Sequence, residues 1–143
     1  MFKFNLGGLI SPVQMLAERV ISRGLKAIGR HIIVEAFGCS REVLDNPMLL
    51  RKTLMDAARK ANMEICGEIF HEFNPQGVTG VVVVKESHLS IHTWPEFGYA
   101  SIDIFTCGSY ADPWKAYDHI IKALRPKSVQ VMELKRGIIW SGG

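Results

Sequence analysis

Cysteine is scarce in this sequence, and no long apolar run is free of charged residues. The three cysteines, Cys39, Cys66 and Cys107, form an odd set without CxxC spacing, and no cleavable signal peptide precedes them. We therefore expect the protein to reside in a reducing cytoplasm and not to depend on a framework of disulfide bonds. The net charge of +3 is small, and the Lys and Arg residues are scattered along the chain. Because nucleic-acid-binding proteins carry a basic stripe, we expect no nucleic-acid partner.

The N-terminal stretch, residues 1–28, is apolar but interrupted by charged residues. It is therefore too broken to span a bilayer, and we expect no membrane partner. Leu16, Val20 and Ile28 recur near helical spacing, which predicts an amphipathic helix that docks on the body of the protein or on a partner subunit. A true start codon at Met15 would explain the same stretch equally well.

Residues 29–143 form one domain, because no repeat, linker or low-complexity tract divides them. Asn46-Pro47 and Asp112-Pro113 each combine an N-cap with proline at the first helical position and so predict two helix starts. The apolar stripes behind these starts are Leu50, Leu54, Ala57 and Ala61 in one helix and Trp114, Tyr117, Ile121 and Leu124 in the other. Strands are predicted at about 31–37, 64–73, 81–92, 99–106 and 128–134.

Short turns between successive strands favour antiparallel pairing. The predicted fold is an α+β two-layer sandwich, a mainly antiparallel sheet with two helices on one face. The uncovered sheet face must then be polar or meet another copy of the chain. In the strand before Cys107, Ala100, Ile102 and Ile104 face the helices, so Cys107 points to the uncovered face. A cysteine there is better placed for chemistry than for packing, although a free cysteine is also a common small hydrophobe.

The segment from Lys85 to Glu96 concentrates hydroxyl, imidazole and carboxylate side chains. It directly follows the run Val81-Val82-Val83-Val84, which is typical of a strand buried on both faces. The chain thus leaves a hydrophobic core and enters a cluster of groups that titrate or attack. This juxtaposition predicts a reaction site.

The block Glu86 to Glu96, followed by Phe97-Gly98-Tyr99-Ala100 and then by Phe105-Thr106-Cys107-Gly108, resembles the small prokaryotic S-adenosylmethionine decarboxylases, which are made as proenzymes. The resemblance extends from about Gly29 to about Gly137. It implies an enzyme that decarboxylates S-adenosylmethionine to the aminopropyl donor for spermidine synthesis. It also implies a homodimer of cleaved protomers, with two α and two β chains and active sites at or near the interface between protomers.

A decarboxylase of amino acids needs an electron sink, because no ordinary side chain stabilises the carbanion left when carbon dioxide departs. A carbonyl that forms a Schiff base with the substrate amine can serve. The sequence has no signature for binding pyridoxal phosphate. The family resemblance implies that Ser87 attacks the carbonyl of Glu86, that the chain breaks between Glu86 and Ser87, and that Ser87 becomes a covalent pyruvoyl group.

The resemblance also implies which residues assist. His92 occupies the family position of the base that removes the Ser87 α proton. Thr79 falls where relatives commonly carry a serine that assists processing, so this chain keeps the hydroxyl but adds a methyl group. Ser87 and His92 are five positions apart and would face opposite sides of a regular strand. We therefore expect a bulge or turn between them.

In turnover, the resemblance implies that Cys107 donates a proton to the α carbon of the product. Phe73 matches a family aromatic residue that stacks on the adenine, and Glu96 matches a carboxylate positioned for the ribose hydroxyls. Without the family, core packing of Phe73 and a solvated turn at Glu96 would be the better interpretations.

Three alternatives remain open at this stage. The first is a pyruvoyl-dependent arginine decarboxylase of the same family, which shares the motif around the serine. The second is a metal-binding module whose ligands would come from His71, His88, His92, Cys66 and Cys107, although no paired short-spaced ligands support it and we expect no metal. The third is a non-enzymatic ligand-binding α+β domain.

Overall fold

The computed structural model describes residues 3–4, 24–85 and 87–140, the first two by their backbone alone. Its framework is one sheet in which all neighbouring strands run antiparallel. The strands are β1 (Lys3–Phe4), β2 (Leu25–Phe37), β3 (Ile65–Glu72), β4 (Val78–Val84), β5 (Ser87–Trp94), β6 (Tyr99–Cys107) and β7 (Ser128–Trp140). Their order across the sheet is β1-β7-β2-β6-β5-β4-β3.

Helices cover one face of this sheet. They are α1 (Arg41–Leu44), α2 (Pro47–Lys60) and α3 (Pro113–Leu124). Asn46 caps α2 by accepting a hydrogen bond from the backbone N–H of Leu49, and Asp112 does the same for Trp114 in α3. A cap of this kind stabilises a helix by about 1 kcal/mol. The predicted α+β two-layer sandwich is confirmed, with the short α1 as a third helix.

The core lies between the helices and the sheet. On β2, the alternating residues Ile32, Val34 and Ala36 are buried as predicted, and all four stripe residues of α2 are fully buried. The stripe predicted for α3 is only partly correct. Ala116 and Ile120 face the sheet instead, together with Leu124, and the other three predicted side chains are partly buried beside the core. Ala116, Ile120 and Leu124 recur at steps of four and so share one face of α3.

The strand predicted over residues 81–92 is wrong, because the chain reverses within it. Val84 of β4 pairs with Ser87 of β5, so the two strands form a tight hairpin. Two-residue hairpin turns favour Asn-Gly or Asp-Gly, and the sequence here offers neither, which is why no turn was predicted. Glu86 lies outside the described residues. The hairpin places Ser87 at the first position of a strand.

The chain termini also differ from the prediction. Residues 25–28 begin β2, so Ile28, assigned above to an amphipathic helix, lies on a strand, and Lys3–Phe4 pairs with β7. The rest of that predicted helix falls outside the described residues. The last strand runs to Trp140, six residues beyond the predicted end at 134. Within the described residues, no helix has the length and apolar character needed to cross a membrane.

Candidate active site

Ser87 and Cys107 line the same cleft, although they are 20 positions apart in the sequence. The cleft has a volume of about 200 Å³ and lies where β4 ends, β5 begins and β6 ends. Its other lining residues are Asn62, Met63, Glu64, Val84, Lys85, Thr106, Tyr110 and Ala111. The antiparallel pairing of β5 with β6 brings the two strand ends together and so unites the hydroxyl with the thiol.

The hydroxyl oxygen of Ser87 is buried and has no hydrogen-bond partner among the described residues. Leaving a buried hydroxyl unsatisfied costs about 1–3 kcal/mol, so such atoms require an explanation. The one other such oxygen in the described part of the chain is Oε2 of Glu68, whose Oε1 atom is bound by Arg51. Among the described residues, nothing therefore competes for the hydroxyl of the serine that the family motif marks for cleavage.

Cys107 occupies the end of β6, where buried and half-buried residues alternate as predicted. Its thiol is half-buried and belongs to the uncovered side of the sheet. Its cross-strand partner is Gly29. A Cβ atom at Gly29 would lie 2.6 Å from Cε2 of Phe105, so the glycine leaves room for the Phe105 ring next to Cys107. The thiol is thus half-buried, and the Phe105 ring lies over the glycine that pairs with Cys107.

Thr79 and His92 form a second cluster on neighbouring strands. Thr79 Oγ1 lies 2.9 Å from His92 Nδ1. Both side chains project from the uncovered face, and the cross-strand row continues from Thr79 to His71 on β3 and from His92 to Ser101 on β6. If the proton resides on Nδ1 and is donated to Thr79, the Nε2 atom keeps a lone pair that can accept a proton.

Phe73 and Glu96 lie at the same end of the sheet as this second cluster. Glu96 is in a single 3₁₀ turn (Pro95–Phe97) that follows β5, and its Oε2 atom accepts a hydrogen bond of 3.0 Å from Nε2 of Gln76. Phe73 directly follows β3 with 48% of its surface exposed, and its ring meets that of His71 edge-on with 4.8 Å between the ring centroids. An exposed ring and a carboxylate are therefore available close to Thr79 and His92.

The predicted site residues thus separate into two groups. Strand β5 is regular from Ser87 to Trp94, with continuous register to both neighbours, so the expected bulge or turn is wrong. Over five residues a strand advances about 17 Å, and an odd step reverses the side of the sheet. Ser87 and His92 of one chain therefore do not meet. We call Ser87 and Cys107 the serine half-site, and we call Phe73, Thr79, His92 and Glu96 the histidine half-site.

Several residues of the cleft were not predicted from the sequence. Lys85 Nζ and Glu64 Oε2 form an ion pair of 3.0 Å at its rim. Tyr110 lies at its mouth with 87% of its surface exposed. Lys85 precedes the cleavage motif and Tyr110 follows Phe-Thr-Cys-Gly closely, so proximity to the motifs was the available signal. Nothing in the sequence pointed to Asn62.

The uncovered face also holds polar groups that the sequence did not reveal. Tyr99 donates a hydrogen bond to Glu35, and burial together with this carboxylate raises the pKa of the Tyr99 hydroxyl. His31 Nε2 lies 2.8 Å from Asp103 Oδ1, and Ser90 donates to the other oxygen of Asp103. Among the described residues, no three His, Cys, Asp or Glu side chains are arranged to hold a metal ion, so the metal-binding alternative gains no support.

A small α+β fold that carries a serine hydroxyl and a thiol in one cleft, and an imidazole in a second cluster, is typical of an enzyme. A family model described as S-adenosylmethionine decarboxylase matches residues 30–137. The chain belongs to the S-adenosylmethionine decarboxylase family. With this family assignment, an enzyme is a better interpretation of the chain than a non-enzymatic ligand-binding domain.

Individual proteins agree with this assignment. The chain is 53% identical over 113 residues to a protein of Thermotoga maritima named S-adenosylmethionine decarboxylase proenzyme, covering 79% of this chain and 87% of that protein. A protein of the same name from Caldicellulosiruptor saccharolyticus is 51% identical over 114 residues, covering 80% and 92%. The crystal structure of the adenosylmethionine decarboxylase from Aquifex aeolicus superimposes with a TM-score of 0.78 at 36% identity, covering 82% of this chain and 98% of that one.

Proposed function

We propose that this chain is a proenzyme that cleaves itself at Ser87 and then decarboxylates S-adenosylmethionine to the aminopropyl donor of polyamine synthesis. The observation that carries the proposal is the buried, unpartnered hydroxyl of Ser87 in the same cleft as the Cys107 thiol. The family supplies the reaction, and the cleft supplies a nucleophile and an acid in one place. The residue that forms the prosthetic group and the residue that returns a proton are then neighbours.

Processing begins at the Ser87 hydroxyl. Its oxygen adds to the carbonyl carbon of Glu86 and the amide C–N bond breaks, so the chain continues through an ester. A base then removes the Ser87 α proton, the Cβ–O bond breaks and the Glu86 carboxylate leaves. The remaining dehydroalanine takes up water and loses ammonia. The products are residues 1–86 and a second chain that begins with a pyruvoyl group at position 87.

The base must come from a second copy of the chain, because His92 lies too far from Ser87 within one copy. Thr79 Oγ1 lies 2.9 Å from Nδ1 of the imidazole, and when Nδ1 donates its proton to Thr79, Nε2 is left to accept the α proton. Thr79 acts here as a positioning residue. Its additional methyl group does not remove the oxygen that makes this contact.

A two-fold dimer through the uncovered sheet face satisfies this requirement. Cys107, Thr79 and His92 project from that face, and Ser87 lies at the first residue of β5, in the cleft it shares with Cys107 at the end of the sheet. The two half-sites lie toward opposite ends of β5. A two-fold axis between the ends brings the serine half-site of each copy to the histidine half-site of the other, which generates two complete sites. The exposed apolar rings on this side, Phe37 and Trp94, would be covered by the same contact.

In turnover, the pyruvoyl group at position 87 would supply a carbonyl that accepts the substrate amine and withdraws the electron pair released with carbon dioxide. The residues present fit that role, because the Ser87 side chain is buried yet engaged by no other described group. Cys107 then donates a proton to the product α carbon. Phe73 of the second copy stacks on the adenine, and its Glu96 accepts hydrogen bonds from the ribose.

The rival substrate is arginine. The two relatives and the solved structure described above carry the adenosylmethionine decarboxylase name, which favours S-adenosylmethionine. An exposed aromatic ring and a carboxylate at the same end of the sheet also suit a nucleoside better than a guanidinium side chain. Release of labelled carbon dioxide from each substrate by the same preparation distinguishes the two, and we expect it from S-adenosylmethionine.

The test of the function combines intact mass spectrometry with this assay. We expect two fragments that meet between Glu86 and Ser87, with the second fragment blocked at its N-terminus, and we expect Ser87→Ala to remain one uncleaved chain without activity. A folded wild-type protein that keeps a single full-length mass and an unmodified serine would contradict the proposal.

A further inference from the structure

The solvent side of the helix layer carries a groove lined by Lys60, Lys115, Asp118, His119 and Lys122, which we call the basic groove. Its volume is about 370 Å³. Lys60 is the last residue of α2, and the other four belong to α3. The groove shares no lining residue with the cleft of Ser87 and Cys107.

The cations of the basic groove differ from the other cations of the helix layer. On α2, Lys52 and Arg59 both pair with Asp56, at 2.5 and 3.0 Å, and Arg51 pairs with Glu68. By contrast, Lys115 and Lys122 form no ion pair with any described residue. Those three cations of α2 each have a carboxylate partner, whereas Lys115 and Lys122 have none among the described residues, so the groove keeps an excess of positive charge.

The excess of positive charge in the groove is also evident at Lys60. Its Nζ atom lies 2.9 Å from Nδ1 of His119. An ammonium group has only donors, so Nδ1 must be the unprotonated acceptor. Burial lowers the pKa of His119, the charge of Lys60 lowers it further, and Lys52 and Lys122 act in the same direction against the opposing effect of Asp56. The imidazole is therefore kept neutral.

We propose that the basic groove is a binding site for a compact multivalent phosphate anion, such as a pyrophosphate or oligophosphate group. Three ammonium groups from two helices enclose it against a single carboxylate, Asp118. A ligand with several closely spaced anionic oxygens can reach more than one of them, whereas a monovalent anion reaches one. The proposal is independent of the decarboxylase function.

The test measures binding of inorganic pyrophosphate to the purified full chain by calorimetry at low salt. We expect Lys115→Gln and Lys122→Gln each to weaken binding about fivefold, the effect of removing one unit charge a few ångströms away in water. We expect Asp118→Asn to strengthen binding, because it removes the carboxylate that lines the groove. Lys26→Gln, an equal change of charge at an exposed position on β2, serves as the control and should change nothing.

A second readout follows His119 itself. A bound anion should raise the pKa of its imidazole, measured by NMR titration with and without pyrophosphate, because it offsets the cations of both helices that face the ring. Stronger binding of a nucleoside triphosphate than of pyrophosphate would identify a nucleotide as the source of the phosphate chain, which is an outcome within the proposal. No binding at millimolar pyrophosphate, or equal losses in Lys26→Gln and the groove variants, would overturn it.

Discussion

Ser87 and His92 lie on the same regular strand, about 17 Å apart by strand geometry and on opposite sides of the sheet. A single chain therefore cannot use its own His92 on its own Ser87. The two residues belong to different half-sites, which a second copy of the chain unites in the proposed mechanism. This arrangement makes the dimer a requirement of the proposed chemistry.

Mixing two inactive variants should restore one site in each mixed dimer. In a dimer of Ser87→Ala with His92→Ala, the serine of the second chain meets the histidine of the first. We expect the His92→Ala chain to be cleaved when the two are coexpressed and to stall when expressed alone, as judged by mass spectrometry of differently tagged chains. Cleavage of His92→Ala to the same extent in both cases would contradict a shared site.

The His92→Ala variant alone should accumulate the ester, because the attack by Ser87 does not need the base that elimination requires. Hydroxylamine cleaves esters far faster than amides, so it should split this variant into the two fragments. The Ser87→Ala chain is the control and should resist hydroxylamine. If His92→Ala also resists, the ester does not form and His92 does not have the assigned role.

Thr79 should assist processing through its oxygen, because Oγ1 makes the contact of 2.9 Å with His92. Thr79→Val keeps the shape but loses this oxygen and should slow cleavage on the order of tenfold or more, whereas Thr79→Ser should cleave at least as fast as the wild type. The measurement is the time course of fragment formation across pH. Equal cleavage rates and equal pH profiles for Thr79→Val and Thr79→Ser would show that Thr79 has only a packing role.

Cys107→Ser should separate processing from turnover. It changes little in volume but replaces the thiol by a weaker proton donor, so we expect substantial cleavage and decarboxylation slower by about a hundredfold or more. Misplaced protonation would also let the substrate amine pass to the pyruvoyl group and end turnover. Single-turnover release of labelled carbon dioxide and the total turnover number measure both effects. Values equal to the wild type would make Cys107 a packing residue.

Glu133 should stabilise the fold in a pH-dependent manner. Its carboxylate is 4% exposed and accepts hydrogen bonds from Arg30 Nε at 2.6 Å and Trp114 Nε1 at 3.1 Å. Burial alone would raise the pKa of Glu133, but these two donors and the charge of Arg30 outweigh it and lower the pKa. A carboxyl whose pKa is lower in the folded state adds stability at neutral pH that is lost as the pH falls.

We therefore expect Glu133→Gln to reduce the free energy of unfolding by about 1–3 kcal/mol at pH 7 and by less below about pH 4, where an unfolded glutamate is protonated. Urea unfolding at both pH values measures this change. Glu72→Gln, an exposed carboxylate on β3, is the control. A loss of stability that does not depend on pH would assign Glu133 a packing role instead.

Local patterns in the sequence were enough for much of the fold. Caps at Asn46 and Asp112 and the alternation of Ile32, Val34 and Ala36 on β2 were predicted correctly, because caps and periodicity act over a few neighbouring residues. The hairpin after Val84 was missed, because its turn carries none of the residues that mark such turns. The motifs around Ser87 and Cys107 identified the family, since they are continuous in the sequence.

Tertiary structure decided which of these residues meet. The sequence by itself determined the family, whose resemblance assigns Ser87, His92 and Cys107 to one predicted site. Only the register of β5 against β4 and β6 places Ser87 with Cys107 and His92 with Thr79. Register depends on how side chains of distant segments pack in the core, and a shift by one residue would reverse every side chain. No local pattern carries that information, so the division into two half-sites emerged from the structure alone.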